Sequence, residues 1–144
     1  MIVCTIGFSK KNLREFIHKL QNAGVKKVID IRLNNTSQLA GYSKKQDLEF
    51  VLELVNIDYD HRLEFAPTET LLKDYKEKKI SWAEYENIFN NLLEKRKPLT
   101  RIETKNEPEV ICLLCSEDKP SKCHRRLVAE FLKKYNEEVH INHL

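Results

Sequence analysis

The sequence predicts an α/β fold: a single domain over residues 1–144 with a mainly parallel sheet of about five strands flanked by helices. Three observations lead to this prediction. Short apolar runs alternate along the chain with stretches whose apolar residues repeat at helical spacing. The helical stretches are long enough to connect parallel strands by crossovers. A chain of 144 residues can bury one core without a disulfide or a metal to stabilise it.

Five short runs are the predicted strands. They are rich in apolar and β-branched residues and are bounded by polar or turn-forming residues, which favours extended structure. In chain order they are 2–6 (IVCTI), 25–32 (VKKVIDIR), 57–63 (IDYDHRL), 109–115 (EVICLLC) and 137–144 (EEVHINHL). The third is the weakest prediction, because charged residues interrupt it.

The predicted helices lie between these strands, and the sequence indicates several of their boundaries. Capping boxes begin helices, glycine favours the position after a helix, and proline suits a first turn or a stop. The boundaries are the capping boxes Ser43/Gln46 and Ser81/Glu84, Gly24 after the first helix, a helix over about 68–78, Pro98 after the fourth, and Pro120 in the first turn of the last.

The composition excludes several classes of protein. With 33% charged and 41% hydrophobic residues, the chain is expected to fold with a charged surface rather than to be disordered. The first apolar run is short and is followed by positive charge, unlike a signal peptide, and no apolar stretch reaches the roughly twenty residues that cross a bilayer. We therefore expect a cytoplasmic protein with no membrane partner, and thiols rather than disulfides.

Functional residues are expected at one edge of the sheet, because ligands of parallel α/β sheets bind beyond the carboxyl ends of the strands. Three predicted helices there begin with basic residues, which the helix dipole disfavours by about 0.3–1 kcal/mol each. These residues are Lys10 and Lys11, Lys44 and Lys45, and Lys122, Arg125 and Arg126. An anionic ligand would compensate their charge, which predicts a phosphate or carboxylate pocket. The alternative is that several of these side chains point into water.

The stretch CLLCSEDKPSKCHRR, residues 112–126, holds the densest group of reactive side chains. Cys112, Cys115, Cys123 and His124 have residue types that bind zinc. Side chains at 112 and 115 of one strand, however, point to opposite faces of the sheet. We therefore predict no metal, and place Cys112 and Cys4 in the core.

A nucleophilic cysteine is a second interpretation of the same stretch. Cys115 ends a strand, and Cys123 stands beside cations near a helix N-terminus, where the pKa of a thiol falls. The alternative is that both thiols pack as small hydrophobic groups. Neither a C-x5-R nor a C-x4-R loop follows Cys115, because Ser121 and Pro120 occupy the arginine positions.

Three further side chains are candidates for acid–base chemistry. Glu117 and Asp30 each follow an apolar strand and are expected to be semi-buried near positive charge. Asp30 and Arg32 lie on one strand face, where they are expected to pair. As alternatives, Asp30 caps a turn and Glu117 only forms a salt bridge. His124 is either a general acid or base or a helix-capping residue, since its ordinary pKa suits both.

Four segments together resemble a known family. They are TIGFS (5–9), VIDIR (28–32), LEFAPTETLLKDYKEKKISWAEY (63–85) and LLCSEDKPSKCHRR (113–126). The family they resemble is DUF488, a group of small prokaryotic proteins, and its most specific feature is a C-x-E followed by C-H-R. Family members often carry histidine where this chain has Phe8. The function of the family is unknown, so the resemblance supports the site and implies no reaction.

The leading hypothesis is an enzyme or ligand-binding domain that acts on a phosphate-bearing molecule, such as a nucleotide or a nucleic-acid end. Its candidate catalytic residues are Glu117, Cys123, His124, Asp30 and Cys115, and its candidate ligand-binding residues are Ser9, Lys10, Arg32, Arg125 and Tyr42. No motif specifies a nicotinamide, flavin or metal cofactor. One alternative is a non-catalytic nucleic-acid-binding module in which Tyr42 and Phe8 stack on bases. Another is a structural turn that has no cavity. The reaction and the oligomeric state do not follow from the sequence.

Overall fold

The computed structural model describes residues 1–36, 41–96, 106–117 and 119–144. These residues form five strands and five α-helices. The strands are β1 (Ile2–Gly7), β2 (Lys27–Asp30), β3 (Asp58–His61), β4 (Val110–Cys115) and β5 (His140–His143). The helices are α1 (Leu13–Asn22), α2 (Lys45–Leu54), α3 (Glu69–Lys76), α4 (Trp82–Lys95) and α5 (His124–Tyr135).

The strands form one sheet in the order β3-β2-β4-β1-β5, and every neighbouring pair is parallel. Gly7 is opposite Cys115, and Asp30 is opposite both Leu114 and His61. Parallel strands end at the same edge of a sheet, so the segments that follow these residues lie side by side. The α/β fold predicted from the sequence is confirmed, and the sheet is parallel throughout.

Both faces of the sheet are buried, which explains why β1 and β4 read as nearly continuous apolar runs. One face packs against α4 and α5, where Leu113 lies in a cluster with Phe89 and Leu127. The other face packs against α1 and α2, where Cys112 lies in a cluster with Phe16. Adjacent residues of β4 therefore belong to different halves of the core, as strand alternation requires.

Two predicted helix boundaries are confirmed. Gly24, with φ of 72°, follows α1 in the left-handed conformation that glycine adopts without strain. The Ser81 hydroxyl accepts from the Glu84 N–H at 3.1 Å, and the Glu84 carboxylate accepts from the Ser81 N–H at 3.2 Å. Pro98 lies outside the described residues. No helix in the described part of the chain is long and apolar enough to cross a membrane.

Two predicted helix starts are wrong. Ser43 ends a 3-10 turn (Gly41–Ser43), and α2 begins two residues later with Lys44 at its N-cap and no side-chain cap. Pro120 is not in the first turn of α5. It lies in the preceding turn, where its carbonyl accepts from the Cys123 N–H at 3.2 Å, and Cys123 is the N-cap residue. These short turns use the residues that the pattern assigned to helix starts.

Candidate active site

A cavity of about 390 Å³ lies at the carboxyl edge of the sheet. It is lined by the segment that follows β2, by the end of β4, by parts of α3 and α4, and by the segment that leads into α5. Its volume falls in the range of small-molecule sites, roughly 300–1,000 Å³. The structural alternative, a turn without a cavity, does not describe this edge of the sheet.

A buried thiol and a buried imidazole face each other in this cavity. Cys115, the last residue of β4, and His124, the first residue of α5, lie 3.5 Å apart between Sγ and Nδ1. The other ring nitrogen, Nε2, is 2.8 Å from the carbonyl oxygen of Ile31. A carbonyl only accepts, so Nε2 carries a proton and Nδ1 is directed at the sulfur. This is the arrangement of a nucleophile, its base and a group that orients the base.

The surroundings of Cys115 favour its thiolate. A hydrogen bond from the Cys123 thiol lowers the pKa of Cys115 most; burial opposes this, while His124 and the backbone N–H of Glu117 lower the pKa further. The net result is a pKa well below the ordinary value for a thiol. Burial lowers the pKa of His124, but the charge and hydrogen bond of Cys115 and the bond to Ile31 raise it overall. These shifts favour a thiolate–imidazolium pair near neutral pH.

The neighbouring thiol behaves differently. Burial raises the pKa of Cys123 well above the ordinary value, and the hydrogen bond and charge of Cys115 raise it further. Cys123 therefore donates its hydrogen bond to Cys115, and of the two thiols Cys115 is the one whose thiolate form is favoured. The sequence alone does not distinguish the two thiols.

The same three side chains also have the spacing of metal ligands. One donor atom each from Cys115, Cys123 and His124 lie within 4.8 Å of one another. Cys112 is fully buried on the opposite face of the sheet, as predicted, and Cys4 is also in the core. A four-ligand site was not expected from the sequence, and this three-donor group was not predicted; its residue types could hold zinc. The absence of a metal therefore stays a prediction.

Arg32 and Asp30 form the predicted pair. The buried Asp30 carboxylate accepts from Arg32 Nε at 2.8 Å and Nη2 at 2.7 Å, and from the Tyr59 hydroxyl at 2.6 Å. Burial alone would raise the pKa of Asp30, but the hydrogen bonds and charge of Arg32, with the Tyr59 bond, lower it overall. Asp30 is fully buried rather than semi-buried. Its geometry suits holding Arg32 in place rather than exchanging protons.

One guanidinium nitrogen of Arg32 makes no hydrogen bond to the described residues. The side chain is only 4% exposed and lines the cavity, yet Nη1 has no hydrogen-bond partner among the described residues. Leaving a buried polar donor without a partner costs about 1–3 kcal/mol, and more for a charged group. An anionic group that reached this nitrogen would remove that cost.

Arg125 and Glu117 do not form the salt bridge considered from the sequence. The buried Arg125 guanidinium donates through Nη1 to the backbone carbonyl of Glu117. The Glu117 side chain is exposed at the cavity rather than semi-buried. Gly7 packs directly against this carbonyl, since a Cβ at that position would lie 1.5 Å from it. Arg125 thus holds the segment after β4 and is not among the residues that line the cavity.

Three other predicted ligand-binding residues lie outside the cavity. Lys10 is exposed. Ser9 donates its N–H to the Ser116 carbonyl at 3.0 Å, and the Tyr42 hydroxyl is 3.0 Å from the Phe8 carbonyl. Phe8 is buried, and the Cζ atom of the Arg32 guanidinium lies over its ring, 5.3 Å from the ring centre. Phe8 and Tyr42 therefore brace the loop after β1 and do not present the stacking surface of the nucleic-acid alternative.

The structure brings only one of the three basic helix starts to the cavity. Lys122 lines it just before α5, which has no acidic residue in its first turn. By contrast, α1 and α2 carry Glu15 and Asp47 in their first turns, and Lys44 is exposed. The acidic residues offset the basic ones at these two helix starts, which the prediction from the bases alone did not include.

An aromatic wall completes the cavity and was missed as part of the site. Tyr75, Trp82 and Tyr85 line it, and the Trp82 and Tyr85 rings stack with centres 4.8 Å apart and an interplanar angle of 17°. The sequence pattern predicted Trp82 and Tyr85 only as part of a helix face. The available signal was their position in the first turn of a helix that starts near the carboxyl edge.

A larger cavity, about 590 Å³, lies beside β3. Its lining includes Glu49, Glu53 and Asp58, all exposed. Exposed acidic side chains are ordinary surface groups, and this cavity contains no thiol. It is therefore not the candidate site.

Comparison with known proteins gives a family and no function. Residues 12–132 match the model of DUF488, described as a domain of unknown function, and the chain belongs to this family. No curated protein and no solved structure matches the chain. The family resemblance is confirmed.

Proposed function

We propose that this DUF488 protein is a thiol-dependent enzyme that acts on a phosphate-bearing small molecule, such as a nucleotide, through a covalent intermediate on Cys115. The observation that carries the proposal is the buried Cys115–His124 pair, with Sγ and Nδ1 3.5 Å apart at the cavity. Burial alone makes a thiol inert, as for Cys112, whose pKa it raises. The donors around Cys115 reverse that effect. We place the protein in the cytoplasm, where thiols stay reduced.

The cavity walls support the substrate class. Arg32 Nη1 lacks a partner among the described residues, and Lys122 adds positive charge at the same cavity, so an anionic group is favoured there. Trp82 and Tyr75, both half-buried at the cavity, offer aromatic surface on which a planar ring can stack, at about 1–3 kcal/mol for a base. A nucleotide carries both a phosphate and a planar ring.

The reaction proceeds in two steps. In the first, the Cys115 thiolate attacks an electrophilic carbon or phosphorus atom of the substrate, the Sγ bond forms, and the bond to the leaving group breaks. The leaving group takes the proton from His124 Nδ1, which the Ile31 carbonyl keeps in position. Positioned general acids of this kind contribute about 10²- to 10⁴-fold.

The second step releases the product. Water attacks the covalent intermediate, the bond to Sγ breaks, and the thiolate returns. Neutral His124, or the exposed carboxylate of Glu117 at the cavity, accepts the proton of the water. A Glu117→Gln change would slow this step and leave substrate binding intact if Glu117 is the base. In a pure binding module the same change would leave function unchanged or strengthen it.

Selective alkylation tests the nucleophile. Wild type, Cys115→Ser and Cys112→Ser are treated with iodoacetamide at neutral pH, and the modified residues are identified by peptide mass spectrometry. Cys112 is the matched control, because it is a buried cysteine of the same strand on the opposite face. We expect Cys115 to be labelled first in wild type and in Cys112→Ser. Labelling of Cys112 as fast as Cys115 would contradict the proposal.

A ligand screen tests the substrate. Nucleotides, sugar phosphates and short oligonucleotides are tested for thermal stabilisation of wild type and of Arg32→Lys, and stabilising compounds are tested for turnover. A ligand present at a hundredfold excess over Kd stabilises by about 2.7 kcal/mol. Stabilisation by a small phosphate compound, with turnover that Cys115→Ser abolishes, is the expected result. Oligonucleotide binding without turnover would favour the nucleic-acid module. Stoichiometric zinc in the purified protein would show that the site is a metal centre and not a free thiolate.

A further inference from the structure

A second thiol lies next to the proposed nucleophile and has no role in the two-step reaction beyond its hydrogen bond. Cys123 donates that bond to Cys115, and their sulfur atoms lie within 4.8 Å of each other. Both residues line the cavity, with Cys115 4% exposed and Cys123 3% exposed. Small molecules that enter the cavity therefore reach two adjacent thiols.

The other two cysteines of the chain form a second neighbouring pair. Cys4 and Cys112 are opposite each other in the β1–β4 pairing, and both are completely buried. Neither lines the cavity, and burial raises the pKa of both thiols. The chain thus holds two pairs of neighbouring cysteines, of which only the Cys115–Cys123 pair lines a cavity.

We propose that Cys115 and Cys123 form a redox couple that reduces a hydroperoxide and closes into an intramolecular disulfide. Cys115 is the residue that attacks the peroxide, and Cys123 is the residue that resolves the product. The inference shares the Cys115 thiolate with the proposed function, but it does not require a phosphate-bearing substrate.

The chemistry balances in two steps. Cys115 Sγ attacks one oxygen of the hydroperoxide, the O–O bond breaks, and the leaving alkoxide or hydroxide takes the proton of His124 Nδ1. Cys115 is then a sulfenic acid, oxidised by two electrons, and the peroxide has become an alcohol or water. Cys123 Sγ next attacks the Cys115 sulfur, the S–O bond breaks, and the departing hydroxide takes the Cys123 proton to leave as water. A dithiol reductant returns both thiols by exchange.

The disulfide would have a consequence for the proposed enzyme. It occupies the nucleophile and removes the Cys123 hydrogen bond that lowers the pKa of Cys115. It also withholds the sulfenic acid from further, irreversible oxidation. The couple would therefore switch the site off under oxidation and protect it until a reductant restores it.

Hydrogen peroxide tests the couple in the full chain. Wild type, Cys115→Ser, Cys123→Ser and the control Cys112→Ser, reduced and freed of reductant, each receive one equivalent of peroxide. Peptide mapping locates disulfides, dimedone traps sulfenic acid, and peroxide consumption is followed. The serine of Cys123→Ser keeps a hydroxyl donor beside Cys115 while removing the resolving sulfur, which separates the two roles of Cys123.

We expect a 115–123 disulfide in wild type and in Cys112→Ser, reversed by a dithiol. Cys123→Ser should accumulate dimedone-trapped Cys115. Cys115→Ser should consume peroxide at roughly one tenth of the wild-type rate or more slowly still. A disulfide between Cys4 and Cys112, or between two chains, overturns the inference, as does the absence of trapped Cys115 in a folded Cys123→Ser. If Cys115 alkylates selectively but forms no disulfide, the redox couple fails and the proposed function stands. If the disulfide forms but no phosphate compound binds, the proposed function fails and the redox couple stands.

Discussion

His124 Nε2 lies 2.8 Å from the Ile31 carbonyl oxygen, so the residue that follows β2 fixes the imidazole that faces Cys115 at the end of β4. The contact joins two neighbouring strands to the first residue of α5. Because the proton at Nε2 is held by a carbonyl, Nδ1 is the nitrogen that exchanges a proton with the sulfur. The reactivity of Cys115 therefore depends on the whole carboxyl edge and not on one residue.

Replacing His124 should change how the alkylation of Cys115 depends on pH. In wild type the ion pair persists between the lowered pKa of Cys115 and the raised pKa of His124, so the rate should be flat across neutral pH. In His124→Gln the thiolate loses its cationic partner while the Cys123 hydrogen bond remains, so the pKa of Cys115 should rise and the alkylation rate should increase with pH. At pH 7 we expect a rate roughly tenfold or more below wild type, measured by mass spectrometry with iodoacetamide.

His61→Gln is the matched control for this experiment. His61 Nε2 is 2.8 Å from the Arg32 carbonyl, the same kind of bond, but His61 does not line the cavity. This control should keep the flat profile. A flat profile in His124→Gln as well would show that the imidazole does not hold the thiolate.

Asp30→Asn should destabilise the protein at neutral pH. The change leaves the Arg32 guanidinium buried without its carboxylate, and breaking a buried pair in this way costs about 3–5 kcal/mol. The folded pKa of Asp30 is lowered, so its contribution is fully present above the unfolded value of about 3.9 and is lost as pH falls through the folded pKa. Urea unfolding at neutral and acidic pH should therefore show a difference from wild type that shrinks in acid.

Asp60→Asn supplies the exposed counterpart. Asp60 also pairs with an arginine, Arg62, at 2.7 Å, but its side chain is 39% exposed. A pair of this kind contributes about 0–1 kcal/mol. Equal losses of unfolding free energy in the two variants would contradict the role assigned to burial of Asp30.

The placement of the site could be predicted from the sequence because it depends on local regularities. Strand alternation puts Asp30 and Arg32 on one side and separates Cys112 from Cys115. Parallel strands end at one edge, which gathers the segments after β2 and β4. Both regularities are properties of the backbone that residue spacing reveals directly.

The arrangement within the site could not be predicted, because it depends on irregular backbone. The turns before α5 delay the helix, so Cys123 becomes the N-cap residue and its thiol reaches Cys115. The Ile31 contact is made by a backbone carbonyl, which every residue has, so no side-chain pattern could indicate it. The Glu117 side chain is exposed because Arg125 binds the backbone carbonyl of Glu117 and not its carboxylate, which no side-chain pattern indicates either.

Gly7→Ala should disrupt the site although Gly7 contacts no ligand. An added Cβ would lie 1.5 Å from the Glu117 carbonyl oxygen and 2.7 Å from Arg125 Nη1, so the segment after β4 would have to move. The Glu117 N–H would then leave the Cys115 sulfur. We expect slower alkylation of Cys115 and a loss of stability of about 1–3 kcal/mol, as for other overpacked sites. Gly41→Ala, where an added Cβ meets no atom of the described residues within 4 Å, should match wild type in both measurements.

Arg32→Lys should weaken anion binding while retaining a cation for Asp30. The change removes Nη1, the guanidinium nitrogen that has no partner among the described residues. A hydrogen bond to a charged group contributes about 1.5–3 kcal/mol, which corresponds to roughly ten- to a hundredfold in affinity. Inorganic phosphate should slow iodoacetamide labelling of Cys115 in wild type by occupying the cavity. The variant should need roughly ten- to a hundredfold more phosphate for the same protection.

Lys10→Met is the control, because it removes an exposed cation outside the cavity, and it should leave protection unchanged. Equal protection of wild type and Arg32→Lys would show that Arg32 does not bind the anion.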